Sequence, residues 1–172
     1  IIRKIRNIEK PVVAAVNGVA AGAGASIALC CDIVVATENA SFIQAFSKIG
    51  LIPDSAGTFF LPRLVGLQKA TALMMTAESI SANDAEKMGM IYKVFSDESF
   101  VEKSWNLVSK LSQMPTKGLG LTKKLLNESY NNNLEQQLDM EDKCQSIAGE
   151  TNDFMEGVQS FLEKRKPIFK GE

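Results

Sequence analysis

The stretch from Pro11 to Cys31 restricts the fold more than any other feature of this sequence, because its 21 residues include no charged side chain. A run of about 20 apolar residues can cross a bilayer as one helix. This run contains Asn17, Gly22 and Gly24, and many of its apolar residues are alanine, so its tendency to enter a membrane is weak. We therefore expect buried elements of a globular domain and no membrane association.

The same stretch divides into a strand, a turn and a helix. An apolar run over residues 12–16 follows the proline and predicts a strand covered on both faces, and Asn17-Gly18 then turns the chain. The small residues from Ala23 to Cys31 predict a helix that packs closely on a sheet, and residues 33–36 predict a second buried strand. This order of elements predicts a βαβ unit.

After that unit the pattern becomes mainly helical. Residues 40–43 and 90–95 predict two further strands, and a helix over residues 55–64 follows Asp54. The remaining predicted helices cover residues 67–76, 81–88, 99–111, 116–130, 134–148 and 153–164. No internal repeat or linker divides the chain, so we expect one structural domain of the α/β class with a helical C-terminal part.

Histidine is absent from the whole chain of 172 residues. Hydrolase triads with an imidazole base and metal sites with histidine ligands are therefore excluded for this chain alone. Cys30 and Cys31 are adjacent and Cys144 is distant, which is no zinc-ligand spacing, so we expect reduced thiols, no metal and a cytoplasmic location. The formal net charge of −1 provides no general attraction to nucleic acid.

A glycine-rich turn, Gly22-Ala23-Gly24-Ala25-Ser26-Ile27, stands where the first strand leads into the helix. Free N–H groups at such a turn can face an anion, as in dinucleotide sites, although the third glycine of that motif would fall at Ile27. A second use is an oxyanion hole, in which an amide N–H meets the charge that develops on a carbonyl oxygen. The third interpretation is close packing of helix on sheet, and the residues alone leave all three open.

Acidic residues are scarce between Pro11 and Gly66, where the sequence has only Asp32, Glu38 and Asp54. We expect a turn or backbone hydrogen-bonding role for Asp32 and a solvated position for Glu38. Asp54 stands in an apolar loop before a predicted helix. It is either the N-cap of that helix or a general base, and the sequence does not decide between them.

Three segments, in order, carry a resemblance to a known family. They are residues 14–24 with Cys31-Asp32-Ile33, residues 42–66, and the closing residues 156–169. Together these motifs resemble the crotonase, or enoyl-CoA hydratase/isomerase, superfamily, and the resemblance extends over essentially the whole chain. Within the family, residues 45–54 are most similar to bacterial isomerases that act on the ring-epoxide of phenylacetyl-CoA.

This resemblance implies a crotonase fold of the α/β class, with a spiral core of ββα repeats followed by a C-terminal helical layer. It assigns residues 1–66 to the C-terminal portion of the α/β core and residues 67–172 to a helical trimerisation region. The family's first ββα section, which supplies a second oxyanion amide and much of the coenzyme A site, would precede Ile1. We therefore expect this sequence to begin within a longer protein, and little or no catalysis without that section.

The resemblance also implies roles for single positions. The oxyanion amide of the family falls on the backbone N–H of Ala23, and the two glutamates of its hydratases fall on Ser26 and Phe46. Asp54 occupies the place of the acid in single-base isomerases of the family. The implied substrate-binding residues are Val19, Ala21, Ser26, Phe46 and Ile49.

These positions imply a CoA-thioester isomerase rather than a hydratase, since neither serine nor phenylalanine is a carboxylate base. The implied reaction is rearrangement of the ring-epoxide of phenylacetyl-CoA to an oxepin thioester, and the alternative is conversion of 3-enoyl-CoA to trans-2-enoyl-CoA in fatty-acid oxidation. An alternative of another class is a non-catalytic oligomeric fragment without the CoA-binding half. No cofactor is implied, because coenzyme A is part of the substrate. The implied partners are an acyl-CoA and identical subunits in a homotrimer or a dimer of trimers.

Overall fold

Helices and short strands alternate along the chain in the computed structural model, which describes residues 1–172. In chain order they are α1 (Ile2–Asn7), β1 (Val13–Val16), β2 (Val19–Ala21), α2 (Ala23–Leu29), β3 (Ile33–Thr37), β4 (Ser41–Ile43), a 3-10 helix (Ala45–Ile49), α3 (Gly57–Val65), α4 (Leu67–Thr76), β5 (Ser79–Ser81), α5 (Ala82–Lys87), β6 (Lys93–Phe95), α6 (Asp97–Ser112), α7 (Thr116–Glu128), α8 (Leu134–Gly149) and α9 (Asn152–Leu162). None of these helices has the length and apolar character needed to cross a bilayer.

Two compact units make up the chain. The first consists of Ile1–Arg6 and Val12–Asn106, and the second of Asn7–Pro11 and Leu107–Glu172. All six strands belong to the first unit, and helices α7 to α9 belong to the second. The family resemblance divides the chain at residue 66 into an α/β core and a helical trimerisation region, and this division stays a prediction.

The first unit contains the predicted βαβ arrangement. Strands β1 and β3 pair in parallel with Val13 opposite Ile33, and β6 lies parallel to β3 on its other side. Helix α2 follows β2 and precedes β3, so it forms the crossover. A parallel strand covered on both faces needs a nearly continuous apolar run, and the buried residues of β3 from Val34 to Ala36 provide it.

A second sheet in the same unit holds the strands that lead into the glycine-rich turn and the 3-10 helix. Its order is β2-β4-β5, with β2 parallel to β4 and β5 antiparallel to it. The chain therefore passes twice through a ββα repeat, first as β1-β2-α2 and then as β3-β4-α3. This repeat places the starts of α2 and α3 after equivalent strands.

The core of the first unit is aliphatic with one central ring. Phe42 and Leu61 are almost completely buried, and Leu29, Val34 and Leu73 pack in the same cluster. Burying a large apolar side chain stabilises a fold by about 1.5–3 kcal/mol. Helices α2 and α3 are therefore held on the sheets by the residues that follow their first turns.

Local hydrogen bonds fix the ends of the helices in the second unit. At the start of α8 the side chain of Asn133 accepts from the Gln136 N–H, and the Gln136 side chain accepts in return from the Asn133 N–H. Asp153, buried near the start of α9, accepts from the N–H groups of Lys170 and Gly171 at 2.7 and 2.8 Å. The C-terminal residues are thereby attached to the first turn of α9.

Candidate active site

The turn before α2 has a backbone that suits glycine. Gly22 has φ 52° and ψ −121°, a conformation that side chains with a β-carbon rarely adopt. Its N–H donates to the carbonyl of Ile43 at 2.8 Å, and the ring of Phe46 lies 3.7 Å from the point where its β-carbon would stand. Ala23 is the first residue of α2, where backbone N–H groups have no acceptor within the helix.

Asp54 stands in an exposed turn before α3 and is not the N-cap of that helix. The N-cap is Ala56, and no side chain caps α3. Ser55 and Ala56 have φ values of 50° and 61°, so two left-handed residues separate Asp54 from the helix. The Asp54 carbonyl accepts from the Gly57 N–H at 2.9 Å, and Asp54 is exposed. The N-cap interpretation is therefore wrong, and the carboxylate is accessible to a ligand.

A buried polar group lies beneath α3. Ser26 and Gln44 are 0% and 2% exposed, and neither the Ser26 hydroxyl nor either polar atom of the Gln44 amide has a hydrogen-bond partner. Both side chains face Gly57, where an added β-carbon would lie 2.6 Å from Ser26 Oγ and 3.6 Å from Gln44 Oε1. Sequence reasoning missed Gln44, although a lone amide side chain between Phe42 and Phe46 in an apolar run is a detectable signal.

The apolar residues predicted to bind substrate lie on β2 and the 3-10 helix. Val19 and Ala21 share the exposed face of β2, whose middle residue is buried. Phe46 is buried against Gly22, and Ile49, which ends the same 3-10 helix, is 72% exposed. The structure brings Phe46 into contact with the glycine-rich turn, while the binding roles of all four residues stay predictions.

Asp32 has the backbone role that the sequence predicts. Its carboxylate accepts from the Val12 N–H at 2.8 Å and from the Arg6 guanidinium at 2.9 Å, and Arg6 also donates to the Cys30 carbonyl. This network ties the start of β1 to the segment that links α2 to β3. Asp32 is thus engaged in holding the fold beside the site.

The cysteines are free thiols, and two of them, Cys30 and Cys144, are buried. Burial, together with the smaller effects of the neighbouring Cys30 and Asp32, raises the pKa of the Cys31 thiol to about 11. A thiol with so high a pKa carries little thiolate at neutral pH and is a poor nucleophile. No group of three or more His, Cys, Asp or Glu side chains is placed to hold a metal ion.

The sequence profile of the enoyl-CoA hydratase/isomerase family matches residues 1–172. The chain belongs to this family. It is 46% identical over 172 residues to the 1,2-epoxyphenylacetyl-CoA isomerase of Escherichia coli strain K12, with all of this chain and 66% of the relative covered. It is 43% identical to a probable enoyl-CoA hydratase of Rhodobacter capsulatus, with 99% of this chain and 66% of the relative covered.

A solved member of the enoyl-CoA hydratase/isomerase family has the same fold. The crystal structure of an enoyl-CoA hydratase from Polaromonas sp. JS666 superimposes with a TM-score of 0.94 at 38% identity, covering 98% of this chain and 66% of that one. The predicted crotonase fold and the predicted family are confirmed. The chain spans about two thirds of the length of these relatives.

Proposed function

We propose that this chain carries the acid/base half of a CoA-thioester isomerase that moves a proton through a dienolate. One observation supports this proposal above the others. Ser26 and Phe46, to which the resemblance assigns the two glutamate positions of the hydratases, are both buried and neither is acidic, whereas Asp54 is an exposed carboxylate. A site with one carboxylate can move a proton, but it has no second base to activate water.

The proposed reaction on a 3-enoyl-CoA has two proton steps. The Asp54 carboxylate takes a proton from the carbon between the thioester and the double bond, and the electron pair moves onto the thioester oxygen as a dienolate. The backbone N–H of Ala23, at the start of α2, is proposed to donate to that oxygen and stabilise its charge. Protonated Asp54 then returns the proton to the far carbon of the former double bond. The product is an isomer of the substrate, and no co-reactant is consumed.

The finer proposal is that the acyl group is the ring-epoxide of phenylacetic acid, which rearranges to a seven-membered oxepin. It is supported by the 46% identity to an enzyme named 1,2-epoxyphenylacetyl-CoA isomerase. Val19, Ala21, Ser26, Phe46 and Ile49 are proposed to line the acyl site. A linear 3-enoyl-CoA is the alternative substrate, and it uses the same acid and the same amide.

Coenzyme A enters this scheme as part of the substrate, so we propose no separate cofactor and no metal. We also propose assembly of identical subunits as a trimer or a pair of trimers. The exposed apolar residues of α8 and α9, among them Leu134 and Phe161, are consistent with burial against another chain. Size measurement of the purified protein by light scattering tests this part separately.

The experiment on the reaction uses the full-length protein and compares Asp54→Asn with Asp142→Asn. Asp142 is an exposed aspartate of α8 and serves as the matched control. We expect Asp54→Asn to lower kcat for a 3-enoyl-CoA by about 10²–10⁴-fold, the usual contribution of a positioned acid/base group. Asp142→Asn is expected to retain the wild-type rate. Rapid hydration of crotonyl-CoA by the wild type would contradict the isomerase assignment.

A further inference from the structure

Gly57 on α3 faces Ser26 on α2 too closely for any side chain at position 57. A β-carbon on Gly57 would lie 2.6 Å from Ser26 Oγ, closer than real β-carbons approach another atom, and 3.5 Å from Ser26 Cβ. Gly57 is buried and is the first residue of α3, while Ser26 is on α2. A residue larger than glycine at position 57 therefore requires the Ser26 hydroxyl or one of the two helices to shift.

We propose that Gly57 and Ser26 are positioning residues, whose contact sets the separation between the Ala23 amide and the Asp54 carboxylate. This inference rests on the proposed function. It assigns to Ser26, whose side chain is fully buried, a role in fixing the geometry of the site that is separate from the proposed contact with substrate.

The contact is one turn away from each proposed reacting group. Ala23 and Ser26 are three residues apart on α2, which places them on one side of the helix. Asp54 and Gly57 are also three residues apart, and the hydrogen bond of 2.9 Å from the Gly57 N–H to the Asp54 carbonyl closes the turn between them. A shift at the contact is therefore only three residues from each of the two groups.

The Ser26 hydroxyl contributes volume at this contact and no hydrogen bond. It is fully buried and has no partner, and the nearby amide of Gln44 is also buried and unpartnered. A buried hydroxyl without a partner lowers stability. The effect of the Ser26 hydroxyl on α3 is therefore steric, because the hydroxyl occupies the space that a β-carbon at position 57 would need.

The test exchanges volume between the two positions in the full-length protein. In Gly57→Ala the new methyl group meets Ser26 Oγ, and we expect kcat to fall about 10- to 100-fold with little change in KM, since a misplacement of about 1 Å can cost on the order of 100-fold. In the double variant Ser26→Ala, Gly57→Ala the methyl group takes the space of the lost oxygen, and 3.5 Å to the remaining β-carbon is an ordinary contact. We expect kcat to return to within about threefold of the wild type, as steric relief predicts.

Gly149→Ala is the matched control, because a β-carbon at Gly149, at the end of α8, meets nothing within 4 Å. It is expected to retain the wild-type kcat. If Gly57→Ala does not fold, Ser26→Thr adds a methyl group to the fully buried side chain that faces Gly57, and the resulting overpacking is expected to lower kcat in the same way. A double variant as slow as Gly57→Ala, or a loss confined to KM, would overturn the inference.

The outcomes separate this inference from the proposed function. A wild-type protein that isomerises no acyl-CoA refutes the proposed function, and the positioning role with it. A wild type that isomerises 3-enoyl-CoA, depends on Asp54 and is unaffected by the volume exchange refutes the positioning role alone.

Discussion

The ring of Phe46 lies 3.7 Å from the point at which a β-carbon on Gly22 would stand, so the glycine-rich turn rests directly on an aromatic side chain. Gly22 also has φ 52° and ψ −121°. The turn is therefore restricted in two ways, by its backbone conformation and by the ring beneath it. Because Ala23 follows at once, the position of its amide depends on this contact.

Gly22→Ala should strain the turn. We predict a loss of about 1–3 kcal/mol in the free energy of unfolding, the usual cost of an unfavourable backbone conformation, and a fall in isomerase kcat because the Ala23 amide is displaced. Chemical denaturation and the isomerase assay measure the two effects. Gly118→Ala, in α7, is the control, since its β-carbon meets only Pro115 at 3.9 Å. Equal stability of Gly22→Ala and the wild type would show that the turn is not strained.

Ser26→Ala should leave the protein as stable as the wild type or make it more stable. The hydroxyl is buried without a partner, so its removal eliminates an unmet hydrogen bond. Ser160→Ala is the matched comparison, because Ser160 is equally buried but donates to the Gly157 carbonyl at 3.0 Å. We predict a loss of about 1 kcal/mol for that variant. A greater loss for Ser26→Ala than for Ser160→Ala, measured by thermal unfolding, would refute this account of Ser26.

Asp32→Ala should destabilise the first unit. The carboxylate accepts from the Val12 N–H and from Arg6, and both side chains of the ion pair are mostly buried, at 17% and 20% exposure. A hydrogen bond to a charged group contributes about 1.5–3 kcal/mol, so we predict a loss of about 2–3 kcal/mol in urea denaturation. Asp32→Asn keeps an acceptor for Val12 and should lose less. If the two variants lose the same amount, the charge of Asp32 makes no difference to stability.

The ion pair between Glu156 and Arg165 should become weaker in acid. Hydrogen bonds from Arg165 and from the Ile168 N–H lower the pKa of Glu156 from 4.5 to about 2. Because the pKa is lower in the folded state, the stabilisation is complete above pH 4.5 and is lost as the pH falls towards 2. We predict that the difference in Tm between the wild type and Glu156→Gln shrinks across this range. A difference that stays constant from pH 6 to about pH 2 would show that Glu156 does not titrate with a lowered pKa.

The sequence predicts the longer elements of the fold well because their patterns extend over several turns. The βαβ unit and helices such as α4 and α8 lie where their apolar spacing places them. The apolar pattern does not predict the strands β2 and β5. Each has only three residues, and each is stabilised by pairing with β4, a partner distant in sequence. Such pairing is a tertiary interaction that a local pattern does not record.

The site could be predicted in part. The family motifs point to Ala23 and Asp54, and the structure places Ala23 at the start of α2 and Asp54 shortly before α3, the helices of two successive ββα repeats. The shift of the α3 start from residue 55 to Gly57 could not be foreseen, because it depends on left-handed backbone at Ser55 and Ala56, two residues that rarely adopt it. The same turn decides against Asp54 as an N-cap. The unpartnered pair of Ser26 and Gln44 is visible only once α2 and α3 are packed together.

The most direct test of the proposed function follows both proton steps in one sample. Full-length wild-type protein and Asp54→Asn are incubated with 3-enoyl-CoA in D₂O, and mass spectrometry measures the amount of product and its deuterium content. Because Asp54 is exposed, its proton exchanges with solvent, so the wild type should form 2-enoyl-CoA that contains deuterium. Asp54→Asn should lose both product and deuterium incorporation by at least about 100-fold. Undiminished formation of deuterated product by Asp54→Asn would contradict the central claim that Asp54 carries the proton.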